Sequence, residues 1–349
     1  MHLFQCDYNV MCHPKVLEHM NNRSQDTMLG YGDDEACASA AQIIRELCGN
    51  PSLSVHFLSG GTQTNLTVIA ASLRPYQGVL APVSAHINEH EAGAIEATGH
   101  RVLALPATLG KITAQQVEDA VALHYSTSGP APEHMPQPKM VYISMSTELG
   151  TVYTLNELEA IADVCRKRNL YLYVDGARLG YALASVGCDV TMKDLARLCD
   201  VFYIGGTKQG AMFGEAVVIS NHTLAEDFRY MIKRQGGMLA KGWLMGLQFE
   251  ALLSDGLYFE IAAQANVMAD QIRKALIEAG YQTPFLSATN QVFAILPDYV
   301  LDKLGKEFLF TEWERVDDQR RMIRFCTSWS TKQEAVDQLC KALLAEYDV

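Results

Sequence analysis

The chain contains no apolar run approaching the roughly 20 residues that a membrane-crossing helix requires. Its opening, MHLFQCDYNVMCHP, meets Asp7 before any apolar stretch of useful length, and reads as carrying no signal peptide. Basic excess is also missing: 28 Lys and Arg stand against 40 Asp and Glu, a formal net charge of −12. That balance argues against nucleic acid or an anionic membrane as a partner. It leaves open small phosphorylated ligands, which need only a local group of donors. The nine cysteines are odd in number and scattered, with no C-x-x-C pair, so reduced thiols in a cytoplasmic protein are expected. There is no internal repeat and no low-complexity tract. No G-x-G-x-x-G follows a strand and no G-x-x-x-x-G-K-[ST] occurs, so dinucleotide and P-loop readings lack their signatures.

What is present is an ordinary globular balance, 349 residues with 49% hydrophobic and 19% charged, enough for one large domain and a smaller one. The runs VHFLS, GVLAPVS, RVLALPA, KMVYISMS, YLYVDG, VFYIGGT and GEAVVIS have strand length. Between several of them lie stretches of helical period, such as ACASAAQIIREL, TNLTVIAASL and LNELEAIADVCRKRN. This alternation predicts an α/β fold, a mostly parallel sheet with helices on both faces, over residues 1–242. From residue 243 the texture changes. A long helical region, WLMGLQFEALLSDGLYFEIAAQANVMADQIRKALIEAG, precedes three strand-like runs, QVFAILP, FLFTEWERV and RMIRFCTSW, and a closing helix, TKQEAVDQLCKALLAEY. A smaller α+β domain is expected over 243–349, and STSGPAPEHMPQPK reads as a Pro-rich surface loop.

In open parallel sheets, ligands bind beyond the carboxyl ends of the strands. Four features fall at such ends. In VHFLSGGTQTNLTV, Gly60, Gly61 and Thr62 lead from a strand into a helix whose free N–H groups and positive end favour an anion such as phosphate. In YLYVDGARLG, Asp175 and Arg178 close an apolar strand, where isolated charges would be prohibitively costly without partners. Asp175 suits a protonated ring nitrogen and Arg178 an oxyanion or carboxylate; a simple Asp–Arg pair capping the next helix explains them equally well. In VFYIGGTKQGAMFGEAVV, Lys208 lies among glycines in a charge-poor segment, a setting that lowers an amine's pKa and makes it a nucleophile able to form a Schiff base. In APVSAHINEHEAG, His86 offers a ring to stack on a flat ligand and an acid or base near neutral pH. The same stretch spells H-x-x-E-H across His86, Glu89 and His90, the inverted zinc-peptidase motif. An anion cradle, an acid for a ring nitrogen, an amine and a stacking ring together describe one ligand, pyridoxal 5′-phosphate.

The series SGGTQTN, His86 with Glu91 five residues on, YVDGARLG and GGTKQG resembles the low-specificity L-threonine aldolases, of the β-eliminating-lyase group of pyridoxal-phosphate enzymes with fold type I. YGDDEACASA adds to the likeness, which runs from about Cys6 to the C-terminus. The resemblance implies a seven-stranded sheet with a small C-terminal domain. It also implies cleavage of L-threonine or a related β-hydroxy-α-amino acid to glycine and an aldehyde. Lys208 would bind the cofactor's aldehyde, Asp175 its ring nitrogen, and Gly61 and Thr62 its phosphate. His86 would stack on the ring and act as base, directly or through a water. Arg178 would meet the phenolic oxygen or the substrate carboxylate, and Arg324 the substrate carboxylate.

The family's active sites are shared between subunits of a homodimer or homotetramer. Tyr31 falls in a loop that reaches a neighbour's site, and Lys233 and Lys241 are the cations nearest to its phosphate clamp. Three departures stand out. Cys6 occupies the place of a serine that touches the substrate carboxylate. SMSTELG replaces the family's Glu-Asn-Thr-His, so a histidine is missing there. A second histidine has its nearest counterpart in His134. Two other activities fit the same cofactor, β-elimination and transamination, and a zinc peptidase on His86, Glu89 and His90 is the alternative from another class.

Overall fold

The computed structural model describes residues 1–126, 129 and 131–345. Seven strands form the large sheet, in the order Ser54–Leu58, Glu215–Ile219, Val201–Gly205, Tyr171–Asp175, Gln137–Ser144, Gln77–Pro82 and Arg101–Leu105. Neighbours from Val201–Gly205 through to Arg101–Leu105 run parallel. Glu215–Ile219 is antiparallel to both of its neighbours. It is the one reversed strand. Its first residue, Glu215, therefore lies in register with Leu58 and Gly205, the last residues of the strands beside it. Antiparallel neighbours can be joined without a crossover helix, which is why the segment between Gly205 and Glu215 stays at this one edge.

Alternate residues of the central strands enter different cores. Leu172, Val174, Phe202 and Ile204 face one, with the helices Glu35–Cys48, Leu155–Arg168 and Met192–Leu198. Tyr142, Tyr173 and Tyr203 face the other, with the helices Gly61–Ser72 and Phe228–Arg234. Burial on both faces is why these strands read as continuous apolar runs rather than alternating ones. Capping boxes at Thr113, Thr154 and Thr191 start three of the helices.

The C-terminal unit has an antiparallel sheet in the order Thr311–Arg315, Arg320–Cys326, Gln291–Pro297. Its core draws on the helices Asp298–Leu304 and Gln333–Leu344 and on the second half of Leu257–Glu278. The beginning of the chain joins it as well. His2–Leu3 pairs in parallel with Phe308–Leu309, and Phe4 is buried in the same core. Packing does not break at the expected division after residue 242. Phe249, Leu252, Leu257 and Ile261 belong to the large core, and the change of allegiance occurs along Leu257–Glu278.

Several expected elements differ in detail. The long helical region divides into Trp243–Leu253 and Leu257–Glu278, because Gly256 takes a left-handed φ of 72° between them. FLFTEWERV supplies two short strands, Phe308–Leu309 and Thr311–Arg315. The helices Pro14–Asn22, Phe228–Arg234 and Asp298–Leu304, among others, are not expected from the sequence pattern, although Pro14 at a first helical position is a recognisable start signal. Within the Pro-rich loop, Thr127, Ser128 and Pro130 lie outside the described residues, as do Glu346 and Tyr347 at the end of the last expected helix.

Leu172 is fully buried between the sheet and its helices, whereas Val186 is 95% exposed. Leu172→Ala should cost about 2–5 kcal/mol of stability through lost burial and a residual cavity. Val186→Ala should stay within about 0.5 kcal/mol. Urea-unfolding midpoints of the two variants check the difference.

Candidate active site

Six strands end, and the reversed strand begins, at one edge of the large sheet, and the charged and polar residues gather there. Asp175 is the last residue of its strand and is buried. Four donors converge on its carboxylate. Oδ2 accepts from the Tyr142 hydroxyl at 2.5 Å and the Asn65 amide at 3.1 Å. Oδ1 accepts from the Tyr203 hydroxyl at 2.6 Å and the Ala177 N–H at 2.9 Å. A third tyrosine from the same face, Tyr173, donates to Asn65 Oδ1 at 2.7 Å, and Asn65 also donates to Glu91 at 2.7 Å. Glu91 Oε1 in turn meets His86 Nδ1 at 2.8 Å. One chain of hydrogen bonds thus ties the aspartate to the imidazole.

The backbone here is packed too tightly for side chains. A Cβ on Gly176 would sit 1.7 Å from the Tyr203 carbonyl oxygen. Gly210, with φ +95°, holds the left-handed turn after Lys208. These contacts account for the glycines of DGARLG and GGTKQG.

Lys208 lies on the loop between the antiparallel strands, and its carbonyl accepts from the Tyr181 hydroxyl at 2.6 Å. It forms no salt bridge among the described residues. Burial foremost, then the positive charge of Arg178, push its amine below the ordinary lysine range, while Asp7, Asp175 and Glu215 pull the other way. Arg178 is bound in bidentate fashion by Asp7, with Nε at 2.7 Å and Nη2 at 3.0 Å. Asn290 adds a third donor to Asp7 at 2.9 Å. Burial pushes the Asp7 carboxyl up, but the Arg178 charge and these hydrogen bonds outweigh it and hold the group at about 2. The pair is therefore fully formed above the ordinary carboxylate range and is lost only as pH falls toward that value.

Two further acids border the site. Burial raises Glu215 to about 7, against hydrogen bonds from Thr207 Oγ1 at 2.8 Å and the Gly206 N–H at 2.9 Å. Glu148 Oε1 accepts from Ser144 Oγ at 2.8 Å and from the His86 N–H at 3.1 Å, while its Oε2 is shut off from solvent without a partner. Burial, helped by the charge of Asp175, raises this carboxyl as well.

A cavity of about 580 Å³ opens in front of Lys208, its walls reaching from Gly60, Gly61 and Thr62 to Trp313 and Arg324 of the C-terminal unit. A smaller recess leads inward to Asn65 and Asp175. Both are bordered by His86, Glu148, Arg178 and Lys208. The helix Gly61–Ser72 opens onto it without a side-chain cap. Arg324 lies over the Trp313 ring, 5.2 Å from its centroid, and donates to Gln291 at 3.0 Å and to the Gln5 carbonyl at 3.3 Å. It has no acidic partner among the described residues, its Nε is unbonded, and burial lowers its pKa.

Lys208, His86, Asp175, Arg178, Gly61, Thr62 and Arg324 are thus brought together within one chain. Other expected site residues are not. Tyr31 lies on a separate cavity with Asp33 and Arg229, and Lys233 sits over its ring at 4.8 Å. Lys241 follows Ala240, whose carbonyl accepts from Tyr31 N–H at 3.2 Å. The Cys6 thiol donates to Asn9 at 2.8 Å; Tyr8, two residues on, borders the cavity instead. His134 is exposed at the end of a short helical turn. The H-x-x-E-H stretch is helical over His86–Glu89 and leaves the His86 and His90 ring centroids 5.6 Å apart, but His86 Nδ1 is engaged by Glu91. Among the described residues no group of three or more His, Cys, Asp or Glu is placed to hold a metal ion.

Sequence reasoning missed Asp7, Asn65, Glu148, Glu215 and the three tyrosines. Glu148 sits in the departing segment SMSTELG and Glu215 opens a strand just after GGTKQG, so a charge at a strand end was the available signal in both. Asp7 and Asn65 gave none.

Residues 13–298 match the profile of the beta-eliminating lyase family. The low specificity L-threonine aldolase of Pseudomonas aeruginosa is 30% identical, over 96% of this chain and 94% of its own length. Its namesake from a Pseudomonas species is 31% identical over 97% and 96%. Among solved structures, a Leishmania major threonine aldolase is 44% identical with a TM-score of 0.95, covering 98% of each chain. A Thermus thermophilus aspartate aminotransferase, only 14% identical, superposes with a TM-score of 0.72 and shares the fold, that of the fold type I pyridoxal-phosphate enzymes. With the edge-of-sheet lysine, aspartate and arginine in place, the chain is a member of the beta-eliminating lyase family.

Proposed function

We propose that this protein is a threonine aldolase, cleaving L-threonine and related β-hydroxy-α-amino acids to glycine and an aldehyde with pyridoxal 5′-phosphate as cofactor. The observation that carries this reading is that Lys208 and His86 border both an inner recess that reaches Asp175 and an outer cavity that reaches Arg324. The likeness to the Leishmania major threonine aldolase over 98% of the chain supports it.

The residues present fit the cofactor. The uncapped start of Gly61–Ser72, with Thr62 beside it, offers unspent N–H groups to a phosphate. The Asp175 carboxylate would pair with the protonated ring nitrogen. His86, fixed through Nδ1 by Glu91, would lie against the ring, and Lys208 would hold the aldehyde carbon. When bound, pyridoxal phosphate supplies an electron sink for the bond broken at Cα.

The chain's own residues do the rest. A lowered amine pKa keeps more of Lys208 in its nucleophilic form near neutral pH. Arg324, desolvated and without an acidic partner, offers its charge to the substrate carboxylate, and Trp313 keeps its plane in place. Arg178 commits two of its three nitrogens to Asp7, so its charge is fixed beside the cavity. Tyr31, Lys233 and Lys241 would serve the site of a second copy of the chain, in a homodimer or a dimer of dimers. No described helix is long and apolar enough to cross a membrane.

Four outcomes test the reading. Purified protein incubated with pyridoxal phosphate should gain a visible band, and borohydride should then fix the cofactor's mass on the Lys208 peptide. Lys208→Ala should lose both band and adduct and more than about 10⁴-fold in threonine cleavage, a loss beyond that of a single acid–base group. Retention of normal turnover by that variant rejects the assignment. Arg324→Gln should raise KM for threonine about 10- to 100-fold, the equivalent of one charge-assisted hydrogen bond. Release of glycine and acetaldehyde from threonine, with no 2-oxobutanoate or ammonia, separates the aldolase from a β-eliminating enzyme.

A further inference from the structure

Resting on the aldolase reading, we propose that Glu148 is the catalytic base of the cleavage, taking the proton of the substrate's β-hydroxyl through its Oε2. Three observations point there. Glu148 borders both the inner recess and the outer cavity, next to Lys208 and His86. Its Oε1 is occupied by Ser144 and by the backbone of His86, which fixes the carboxyl plane, while Oε2 is buried without any protein partner. A buried polar atom left unsatisfied is costly, and such atoms are few in native proteins, so this one calls for a partner. A hydroxyl donated by the substrate supplies it.

The rival base is His86. A ring used for its face keeps both nitrogens in the plane of that face, directed past the edge of whatever it stacks on. One of them, Nδ1, is already engaged by Glu91. Stacking and proton abstraction thus compete for one imidazole, whereas Glu148 keeps one oxygen, Oε2, without a partner. Burial also raises the pKa of this carboxyl, the direction that makes it a stronger base.

The step balances within the substrate. The β-hydroxyl O–H breaks and its proton passes to Glu148 Oε2. The freed oxygen pair becomes the second bond of the aldehyde carbonyl as Cα–Cβ breaks. The electron pair of that bond stays with Cα, for which the cofactor, held by Lys208 and Asp175, would supply the electron sink. A proton then returns to Cα to give glycine, so no oxidant or reductant enters.

The test separates a base from a prop. Glu148→Gln keeps the hydrogen bonds to Oε1 but cannot take a proton. Loaded with pyridoxal phosphate, it should bind glycine, followed by the shift of the visible band, within about twofold of wild type. Exchange of the glycine α-proton in deuterated water, which involves no β-hydroxyl, should also hold within about twofold. Threonine cleavage should fall about 10²- to 10⁴-fold, mostly in kcat. Glu148→Asp, which keeps the carboxylate on a shorter arm, should recover at least tenfold of that loss. Equal falls in exchange and cleavage, or a cleavage loss below about fivefold, overturn the assignment; should Glu148→Gln not fold, a failure of Glu148→Asp to exceed Glu148→Ala does the same. Wild-type protein that takes up no pyridoxal phosphate overturns the aldolase reading itself, a result the same spectra reveal at once.

Discussion

A carboxylate at the end of a buried strand is the constraint around which this site is built. Asp175 cannot be left bare in a protein interior, since an isolated buried charge is far too costly. The sheet answers with hydroxyls. Tyr142 and Tyr203 rise from the strands on either side of it, and both hydroxyls reach its oxygens. Asn65, from the helix that begins at Gly61, closes the ring and passes the connection on to Glu91 and His86. Large apolar bodies with polar tips suit this duty, because the rings complete the core while the tips solvate the charge. The arrangement that folds the sheet is therefore also the one that orients the imidazole.

The second pillar is the Asp7–Arg178 pair. Two desolvated charges repay their burial only when geometry and additional hydrogen bonds are good. Here the fork is bidentate and Asn290 supplies a further donor. Each member comes from a different part of the chain: Asp7 from the opening segment, Arg178 from the turn after a central strand of the large sheet, Asn290 from the threshold of the small one. Arg324 leans on the same opening segment through the Gln5 carbonyl. The two guanidinium groups that face the cavity thus share one scaffold.

Much of this was legible in the sequence, for physical reasons. Strands covered on both faces announce themselves as apolar runs, and all seven of the large sheet do so. A lysine amid glycines, or an acid closing a core strand, conflicts with its surroundings unless chemistry explains it, so Lys208 and Asp175 stood out. What stayed hidden depended on pairing at long range. Asp7 lies 171 positions from Arg178 and Asn65 lies 110 from Asp175, and neither breaks a local rule. Glu215 gains its place only because its strand runs backwards, which no local pattern encodes. Arg324 looks like any strand arginine until the fold strips it of acidic neighbours. Gly256 could have divided the long helical region, but one glycine among good helix formers is a weak signal.

The opening strand carries a practical corollary. His2–Leu3 is zipped into Phe308–Leu309, Gln5 props one guanidinium and Asp7 clamps another. Seven residues thereby act as a drawstring between the two halves of the molecule. Trimming them would leave most of the apolar core intact yet slacken the walls of the cavity, so affinity handles and reporter fusions belong at the far terminus.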